Sequence, residues 1–343
     1  MKKIFNLYKI LYNDYGDSMK VLHIGKKGNV EKYTNNLDGI ELIDVPMDTP
    51  VDKIIQVGKD AKYIIADAIA TIPRELVENM PNLKMVHSEG VAYNKFDVDA
   101  CSKNNVMVCN CAGCNASAVA ENTLFLMKAV LLDVFNNMDE IKKGNQIQVK
   151  EAYMKNGSLK EIADMTIGLI GLGSIGQAVA KLCNAYGAKV YYTKRNRYSK
   201  EIEQQLNVEY LELNDLLLRC DMISLHCPVY EQTTNMCDDS FFSKMKDGSY
   251  FINTSRGELV NDEALIQALQ SGKVKMAGLD TLDHEPVQSN HPVLTSDVLD
   301  KIVLTPHIGG ITASSFSRAY AMIWQDIQTI EKNEIPQRCI NKQ

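Results

Sequence analysis

Short runs of consecutive apolar residues recur along the chain, separated by segments in which apolar residues repeat at helical spacing. Unbroken apolar runs are typical of strands in a parallel sheet, because helices cover both faces of such a sheet. These runs predict strands at Val21–Ile24, Ile40–Val45, Tyr63–Ala66, Lys84–His87, Val106–Cys109, Thr166–Ile170, Lys189–Tyr192, Met222–Leu225, Tyr250–Asn253, Met276–Leu279 and Ile302–Leu304. Helical spacing predicts helices over Ser174–Tyr186, Leu211–Leu218 and Asp262–Leu269. Repeated strand–helix alternation predicts a doubly wound α/β fold with right-handed crossovers.

Two long apolar segments divide this alternation. Helices are predicted over 118–135 and 313–330, and a self-contained block of strand–helix units lies between them. A chain of 343 residues is long enough for about two domains. We therefore expect one domain from residues 1–118 and 312–343, with a second domain, residues 119–311, inserted into it. Residues 1–18 precede the first strand and are interpreted as an upstream extension or a misplaced start.

Composition and charge narrow the class of protein. The hydrophobic fraction of 45% and charged fraction of 23% are ordinary for a globular protein. A net charge of −6 gives no general attraction to nucleic acid or to an anionic membrane, so neither is expected as a partner. No apolar run reaches the ~18 residues of a membrane helix, and the N-terminus lacks the pattern of a signal peptide. Nine cysteines without an export signal predict reduced thiols and a cytoplasmic location.

A glycine-rich motif gives the inserted domain its first chemical assignment. Gly171, Gly173 and Gly176 form G-x-G-x-x-G between an apolar strand and an alanine-rich helix. In such a motif the first glycine makes the tight turn, the second admits a pyrophosphate, and the third lets helix pack on strand. The motif in this context predicts a Rossmann dinucleotide-binding domain. The alternative is a glycine-rich turn without a ligand.

The residues after the next strand bear on the choice of cofactor. An NAD-binding unit usually has Asp or Glu about 20 residues after the motif, to accept from the ribose 2′-hydroxyl. Here Lys194, Arg195 and Arg197 occupy this turn. Because guanidinium groups pair with a 2′-phosphate, we expect NADP(H) to be preferred, with NAD(H) possible. The alternative is a solvated basic turn that accepts either cofactor.

Three later segments each follow or end a predicted strand, where ligands bind in an open α/β sheet. They read N-T-S-R-G ending at Gly257, G-L-D-T-L-D-H-E-P ending at Pro286, and T-P-H-I-G-G ending at Gly310. Together with G-x-G-x-x-G, V-A-E-N and L-H-C-P, this order closely resembles the NAD(P)-dependent D-2-hydroxyacid dehydrogenases. That family includes glycerate, hydroxypyruvate/glyoxylate, phosphoglycerate and D-lactate dehydrogenases. The resemblance runs from about Met85 to the end of the last helix, and it implies a flavodoxin-like substrate domain around the Rossmann domain.

The resemblance implies three catalytic residues. Arg256 would hold the carboxylate of a 2-oxo acid, His307 would donate the proton, and Glu285 would hydrogen-bond His307 and keep it protonated near neutral pH. These roles agree with the chemistry, since hydride reaches C2 of the substrate while an acid protonates the developing alkoxide. Arginine recognises a planar carboxylate with two parallel hydrogen bonds. The implied activity is reduction of a small 2-oxo acid to a D-2-hydroxy acid, and the hydroxypyruvate/glyoxylate type is favoured.

Further contacts follow from the same resemblance. His226 and His284 are interpreted as structural, and Asp280 either contacts the nicotinamide amide or caps a loop. The backbone of Ser88, Gly90 and Val91 would meet the substrate carboxylate. The family often has a small residue where this chain has Glu89, a carboxylate that is unfavourable beside an anionic substrate unless it points away or pairs with a cation on the substrate. The cofactor contacts implied are Ser174, Ile175, Cys227, Pro228, Thr233, Thr254, Asp280 and Gly310.

Other functional readings stay open. Some relatives are dinucleotide-sensing corepressors, so a cofactor-sensing interaction protein is the alternative to an enzyme, although a sensor need not keep Arg256, Glu285 and His307 together. A formate-type dehydrogenase fits less well. The resemblance also implies a homodimer, with the helix near 118–138 reaching a partner, and a cleft that closes on the substrate.

Three cysteines stand close together at Cys109, Cys111 and Cys114. A structural zinc site would need four ligands, usually as two paired clusters, and no second C-x-x-C exists. An iron–sulfur site would lack its fourth ligand and has no role in hydride chemistry. We therefore expect no metal, and we interpret this segment as a small-residue loop at the approach to the substrate, in which cysteine serves as a small buried residue.

Overall fold

The computed structural model describes residues 18–342; the proposed upstream extension therefore lies, but for Ser18, outside the described residues. All strand pairings in this part of the chain between named strands are parallel. The strands are β1 Met19–Ile24, β2 Ile40–Val45, β3 Tyr63–Ala66, β4 Met85–Ser88, β5 Met107–Cys109, β6 Thr166–Ile170, β7 Lys189–Thr193, β8 Glu209–Tyr210, β9 Met222–Leu225, β10 Ser249–Asn253, β11 Val274–Leu279 and β12 Ile302–Leu304. Each of the predicted runs forms a strand, whereas the two-residue strand β8 is too short to give a pattern.

Helices connect the strands as the alternation predicts. They are α1 Asn29–Tyr33, α2 Val51–Gly58, α3 Arg74–Glu78, α4 Val98–Lys103, α5 Ala116–Leu132, α6 Val134–Lys142, α7 Gln146–Asn156, α8 Ser174–Ala185, α9 Lys200–Leu206, α10 Leu213–Arg219, α11 Asp239–Lys244, α12 Asp262–Gln270, α13 Pro292–Thr295 and α14 Ala313–Glu331. No helix within residues 18–342 is long and apolar enough to cross a membrane.

The chain divides into two compact units. The first comprises the residues up to Asn115 together with those from Thr312, and the second is Ala116–Ile311. The first unit has a five-stranded sheet in the order β2-β1-β3-β4-β5, and the second has a seven-stranded sheet in the order β12-β11-β10-β9-β6-β7-β8. The first order is flavodoxin-like, and the second is the Rossmann order with one added strand. The prediction of two doubly wound parallel sheets, one inserted into the other in sequence, is confirmed.

In the first unit, both faces of the sheet are buried. Leu22, Ile64 and Val86 belong to one core, whereas Val21 and Tyr63 belong to another that includes residues of α14. Because apolar strand residues face a core on each side of the sheet, the central strands read as continuous apolar runs rather than as alternation. The same holds in the second unit, where two cores cover the two faces of the larger sheet.

The helix predicted over 118–135 differs from the observed one. It is α5, which ends at Leu132, and a separate helix α6 begins at Val134. Asp133, between them, has φ 48°, in the left-handed region that a continuous helix of L-residues does not visit. Asp is one of the few residues that tolerate this conformation, so the break has a local cause that hydrophobic spacing does not reveal.

Candidate active site

The glycine-rich loop in the second unit has the geometry that phosphate binding requires. Gly171 has φ 98°, and a Cβ there would lie 2.4 Å from the carbonyl oxygen of His226. A Cβ on Gly176 would lie 2.4 Å from the carbonyl oxygen of Gly171, whereas a Cβ on Gly173 would meet nothing within 4 Å. Gly171 and Gly176 therefore permit close backbone packing, whereas Gly173 leaves open space at the start of α8. No side chain within residues 18–342 caps the N-terminus of this helix, so its first N–H groups fit a dinucleotide pyrophosphate.

The three basic residues after β7 are not equivalent. Arg197 donates from Nε and Nη2 to the carboxylate of Glu203, at 2.7 and 3.0 Å, and it contacts the ring of Tyr210. Arg197 also holds the pKa of Glu203 at about 2, well below its usual value. Lys194 lies 3.6 Å from the ring centroid of Tyr198, and Arg195 lies on the surface with no ion pair within residues 18–342. Arg195 and Lys194 are therefore freer than Arg197 to meet a phosphate.

Arg256 follows β10, a strand inside the larger sheet. Its Nη1 donates to the carbonyl oxygen of Ser255 at 2.7 Å, and its own carbonyl oxygen accepts from Asn253 Nδ2 at 2.8 Å. The guanidinium is exposed and pairs with no carboxylate of the described chain. The next residue, Gly257, packs so closely on the loop after β11 that a Cβ would lie 2.0 Å from the carbonyl carbon of Leu282. The backbone is thus fixed while the guanidinium stays available.

Glu285 and His307 lie in the loops after the neighbouring strands β11 and β12, and the structure brings them together. His307 Nδ1 lies 2.6 Å from Glu285 Oε2, and the other ring nitrogen, Nε2, has no hydrogen-bond partner within residues 18–342. The backbone of His307 has φ 54°, a strained conformation for a residue that is not glycine. Both side chains are partly exposed, at 43% and 35%. One nitrogen is therefore held by a carboxylate and the other is free to meet a ligand.

Asp280 builds the loop that carries His307. Its carboxylate accepts hydrogen bonds from Thr305 Oγ1 at 2.5 Å, from Ile308 N at 3.0 Å and from Gly309 N at 2.9 Å. This is the loop-capping role that the sequence left as one alternative, and the contact with the nicotinamide amide stays a prediction. Sequence reasoning missed Thr305 and Gly309, which receive their roles from Asp280 some 25 and 29 residues earlier.

The remaining predicted cofactor residues follow β9 and β10, begin α8 or follow the His307 loop. The hydroxyl of Thr233 donates to Pro228 O at 2.8 Å, and Thr254 Oγ1 lies 2.9 Å from Thr123 Oγ1. The carbonyl oxygen of Cys227 accepts from Ser255 Oγ at 3.1 Å. Ser174 and Ile175 begin α8, and Gly310 follows the His307 loop. Their contacts with a cofactor stay predictions.

The two histidines interpreted as structural lie in contrasting surroundings. His226 is buried, its Nε2 lies 2.9 Å from Ser224 Oγ, and burial lowers its pKa to about 3. His284 is 88% exposed beside Asp283. A histidine that stays neutral inside the fold and one that stands in solvent are both consistent with structural or bystander roles.

The predicted substrate segment belongs to the first unit. Ser88 ends β4, and its hydroxyl donates to the carbonyl oxygen of Ala92 at 2.6 Å. Asn110 Nδ2 donates to Val91 O at 2.7 Å, and Cys111 donates from its backbone N to Gly90 O at 2.8 Å. The cysteine loop therefore supports the segment 88–91 directly.

The cysteines themselves are buried. Cys109 and Cys111 have no exposed surface, and Cys114 keeps 5%. Cys111 Sγ donates to Ser88 O at 3.3 Å, and its hydrogen bond with Cys114 is the main cause that lowers the pKa of Cys114. No group of three or more His, Cys, Asp or Glu residues within the described range could hold a metal ion.

Glu89 takes part in a buried network that the sequence did not reveal. Its Oε1 lies 2.7 Å from His23 Nε2 and accepts from the hydroxyl of Tyr320, and His23 Nδ1 lies 2.6 Å from Asp44 Oδ1. We call these four residues, Asp44, His23, Glu89 and Tyr320, the Glu89 network. The partners lie 21, 66 and 231 residues apart along the chain, so no local motif could have found them.

Comparisons with known proteins identify the family of the chain. Residues 126–309 match the model of the D-isomer specific 2-hydroxyacid dehydrogenase NAD binding domain. A glyoxylate reductase of Thermofilum pendens is 32% identical over 293 residues, which cover 85% of each chain. A hydroxypyruvate reductase of Thermotoga maritima is 32% identical over 269 residues, which cover 78% of this chain and 84% of that one.

The solved structures give the same answer for the fold. D-mandelate dehydrogenase of Rhodotorula graminis superposes with a TM-score of 0.80 at 25% identity, covering 95% of this chain and 98% of that chain. Sequence match, fold and site geometry thus point the same way. The chain belongs to the D-isomer specific 2-hydroxyacid dehydrogenase family and is an NAD(P)-dependent enzyme of that family.

Proposed function

We propose that the enzyme reduces small 2-oxo acids of the hydroxypyruvate/glyoxylate type to D-2-hydroxy acids, with His307 as the proton donor. The observation that carries this proposal is the 2.6 Å contact between His307 Nδ1 and Glu285 Oε2, which leaves Nε2 free. The names of the two relatives, a glyoxylate reductase and a hydroxypyruvate reductase, support the choice of substrate.

Different residues of the chain have different roles in the proposed reduction. Arg256 binds the substrate carboxylate through its guanidinium, which pairs with no carboxylate of residues 18–342, and orients the carbonyl group. The carboxylate of Glu285 stabilises the imidazolium of His307, and Nε2 gives its proton to the oxygen on C2. The reduced nicotinamide supplies the hydride when the cofactor is bound. In the first unit, the backbone of Ser88, Gly90 and Val91 adds hydrogen-bond donors for the substrate carboxylate.

Steady-state kinetics with glyoxylate, hydroxypyruvate, pyruvate and branched or aromatic 2-oxo acids test this proposal. We expect the highest kcat/KM with glyoxylate or hydroxypyruvate. A clear preference for an aromatic 2-oxo acid would contradict the substrate assignment. If no 2-oxo acid is turned over while dinucleotide changes the oligomeric state, the cofactor-sensing alternative replaces it.

We also propose a preference for NADPH. Arg195 and Lys194 supply positive charge after β7, where a carboxylate would otherwise select NADH. Arg197 is held by Glu203, so it contributes less than the other two. The variant R195A should raise KM for NADPH by about tenfold, in line with the loss of one charge-assisted phosphate contact, and R197A should change it less. Wild-type kcat/KM at least about tenfold higher with NADH than with NADPH would overturn the preference.

We further propose a homodimer in the cytoplasm. Phe125, Ile141 and Met154, on α5, α6 and α7, are 57%, 56% and 74% exposed, which is unusual for large apolar side chains. A cavity of about 570 Å³ lies beside Phe125 and Tyr186 in the second unit. Light scattering should give the mass of two 38.4 kDa chains, and F125E should shift it toward one. Nine cysteines are an odd count that cannot all pair within one chain, and this favours reduced thiols.

A further inference from the structure

The Glu89 network lies at the carboxyl edge of the first sheet, where open α/β sheets bind ligands. His23 and Asp44 are register partners on β1 and β2, one residue before each strand ends. Glu89 directly follows β4, and Tyr320 comes from α14. The side chains of His23 and Glu89 are 0% and 4% exposed. Four elements thus bring an ionic cluster into the interior at this edge.

The position of Glu89 in the chain connects the Glu89 network with the proposed reaction. Glu89 stands between Ser88 and Gly90, in the segment that we propose to bind the carboxylate of the substrate. A carboxylate in that segment repels an anionic 2-oxo acid, and low dielectric surroundings make the repulsion stronger. The repulsion is removed if Glu89 has a cation of the protein's own beside it. His23 is the titratable base that contacts Glu89.

The hydrogen bonds indicate that His23 carries a proton on both ring nitrogens. Nδ1 faces Asp44 Oδ1 and Nε2 faces Glu89 Oε1, and only an imidazolium can donate to both acceptors. Burial lowers the pKa of His23, but hydrogen bonds and charge from Glu89 and Asp44 outweigh this and leave the pKa raised. A Cβ on Gly25 would lie 2.6 Å from His23 Nε2, so the glycine gives the ring its room.

The other groups around His23 leave it as the cation of the network. Asp44, on β2, accepts a hydrogen bond with its second oxygen, Oδ2, from the backbone N of Gly28 at 2.9 Å. From α14, the Tyr320 hydroxyl donates to Glu89, and burial raises its pKa further above the ordinary range. Neither residue supplies positive charge. No lysine or arginine within residues 18–342 pairs with Glu89 or Asp44.

We propose that His23 is a positioning residue for the reduction, whose fixed positive charge compensates Glu89 so that the segment 88–91 accepts an anionic 2-oxo acid. The proposal rests on the proposed function, since it takes this segment to be the substrate's. His23 contacts neither cofactor nor reacting atoms in it. Its loss therefore raises KM for the 2-oxo acid much more than it lowers kcat.

Steady-state kinetics of the full chain with NADPH and hydroxypyruvate, from about pH 6 to about pH 9, test the proposal. The variant H23N should raise KM at least about tenfold, because like charges face each other without compensation. The ratio of the two KM values should narrow as pH rises and wild-type His23 loses its proton, while kcat stays within about threefold. The double variant H23N/E89Q should bring KM back, because the uncompensated charge is gone; a purely structural role would not give this rescue.

A matched control is the second buried histidine of the same sheet. His87 Nε2 lies 3.1 Å from Asp326, but Asp326 also pairs with Arg338 at 2.7 Å. Because the carboxylate keeps a cation without His87, H87N should leave KM for hydroxypyruvate and its pH dependence as in the wild type.

Each outcome of these experiments supports or contradicts one of the two proposals. An unchanged KM in H23N, or a double variant as impaired as H23N, overturns this inference alone. A wild-type chain that reduces no 2-oxo acid overturns the proposed function, and this inference with it. If H23N does not fold, E89Q decides: a KM that no longer rises with pH supports the inference, and a rise equal to that of the wild type contradicts it.

Discussion

Two histidine–carboxylate pairs of nearly equal length lie in the two units. His307 and Glu285 approach to 2.6 Å in the second unit, and His23 and Glu89 approach to 2.7 Å in the first. Their surroundings differ, because the first pair is 43% and 35% exposed, whereas the second is 0% and 4% exposed. The same contact is therefore placed once in contact with solvent and once inside the protein.

The difference shows what decides the role of such a pair. His307 has one ring nitrogen free and can exchange a proton with a ligand or with water. Both ring nitrogens of His23 face carboxylates of the network, so neither nitrogen is available to a substrate or to water. Distance alone does not separate a proton donor from a fixed charge; the occupancy of the second nitrogen does.

The largest effect should come from removing the exposed histidine. H307A eliminates the proposed proton donor, and we expect kcat for reduction of hydroxypyruvate to fall at least ~10²-fold, the lower end for loss of a general acid. Stopped-flow or steady-state rates with saturating NADPH measure it. H284A is the matched control, since His284 is an exposed histidine in the neighbouring loop. A near-wild-type kcat in H307A would remove His307 from its proposed role.

Removing the buried histidine should lower stability in addition to raising KM. H23N leaves Asp44 and Glu89 buried without their cation, and loss of one partner from a buried pair costs about 3–5 kcal/mol of unfolding free energy. Since the pKa of His23 is raised by folding, its stabilisation is complete below the unfolded value of about 6.5. It is lost as pH rises through the folded pKa. Urea unfolding at several pH values should therefore show the two proteins converging at high pH, and a constant gap would contradict a charged His23.

A neutral partner for His307 should have a smaller effect than its removal. E285Q keeps an acceptor for Nδ1 but removes the charge that stabilises the imidazolium, so we expect kcat to fall by about tenfold. Because this pair is partly exposed, the ratio of wild-type to variant rates should shrink as salt increases. A ratio that does not respond to salt would mean that the pair is shielded from solvent when substrate is bound.

The two pairs also differ in how far the sequence predicts them. Arg256, Glu285 and His307 each follow a strand of one sheet and lie in short motifs, so strand pattern and spacing suffice to place them at one edge. His23, Asp44 and Tyr320 lie in segments with no motif. Their contact depends on strand register and on the packing of α14, which apolar runs do not encode at single-residue precision.

Two further differences between the structure and the sequence predictions have local causes. The basic turn after β7 predicts three phosphate ligands, but Glu203, six residues beyond Arg197, binds its guanidinium in two places. The helix predicted through Asp133 breaks there because that residue adopts a left-handed conformation. In the first case a neighbouring carboxylate, and in the second a single dihedral angle, changes what the local pattern predicts; the roles of Lys194 and Arg195 stay predictions.

The smallest expected effect is that of Y320F, a variant that distinguishes the charge in the Glu89 network from its hydrogen bonds. Y320F removes one of two donors to Glu89 Oε1 but keeps His23, so we expect about 1–3 kcal/mol lower unfolding free energy. KM for hydroxypyruvate should rise less than in H23N, with kcat unchanged. Y192F is the matched control, because the Tyr192 hydroxyl donates to buried Glu203 at 3.0 Å in the other unit. It should lose similar stability without a change in that KM; equal KM defects in Y320F and H23N would mean that hydrogen bonding, rather than charge, makes the segment receptive.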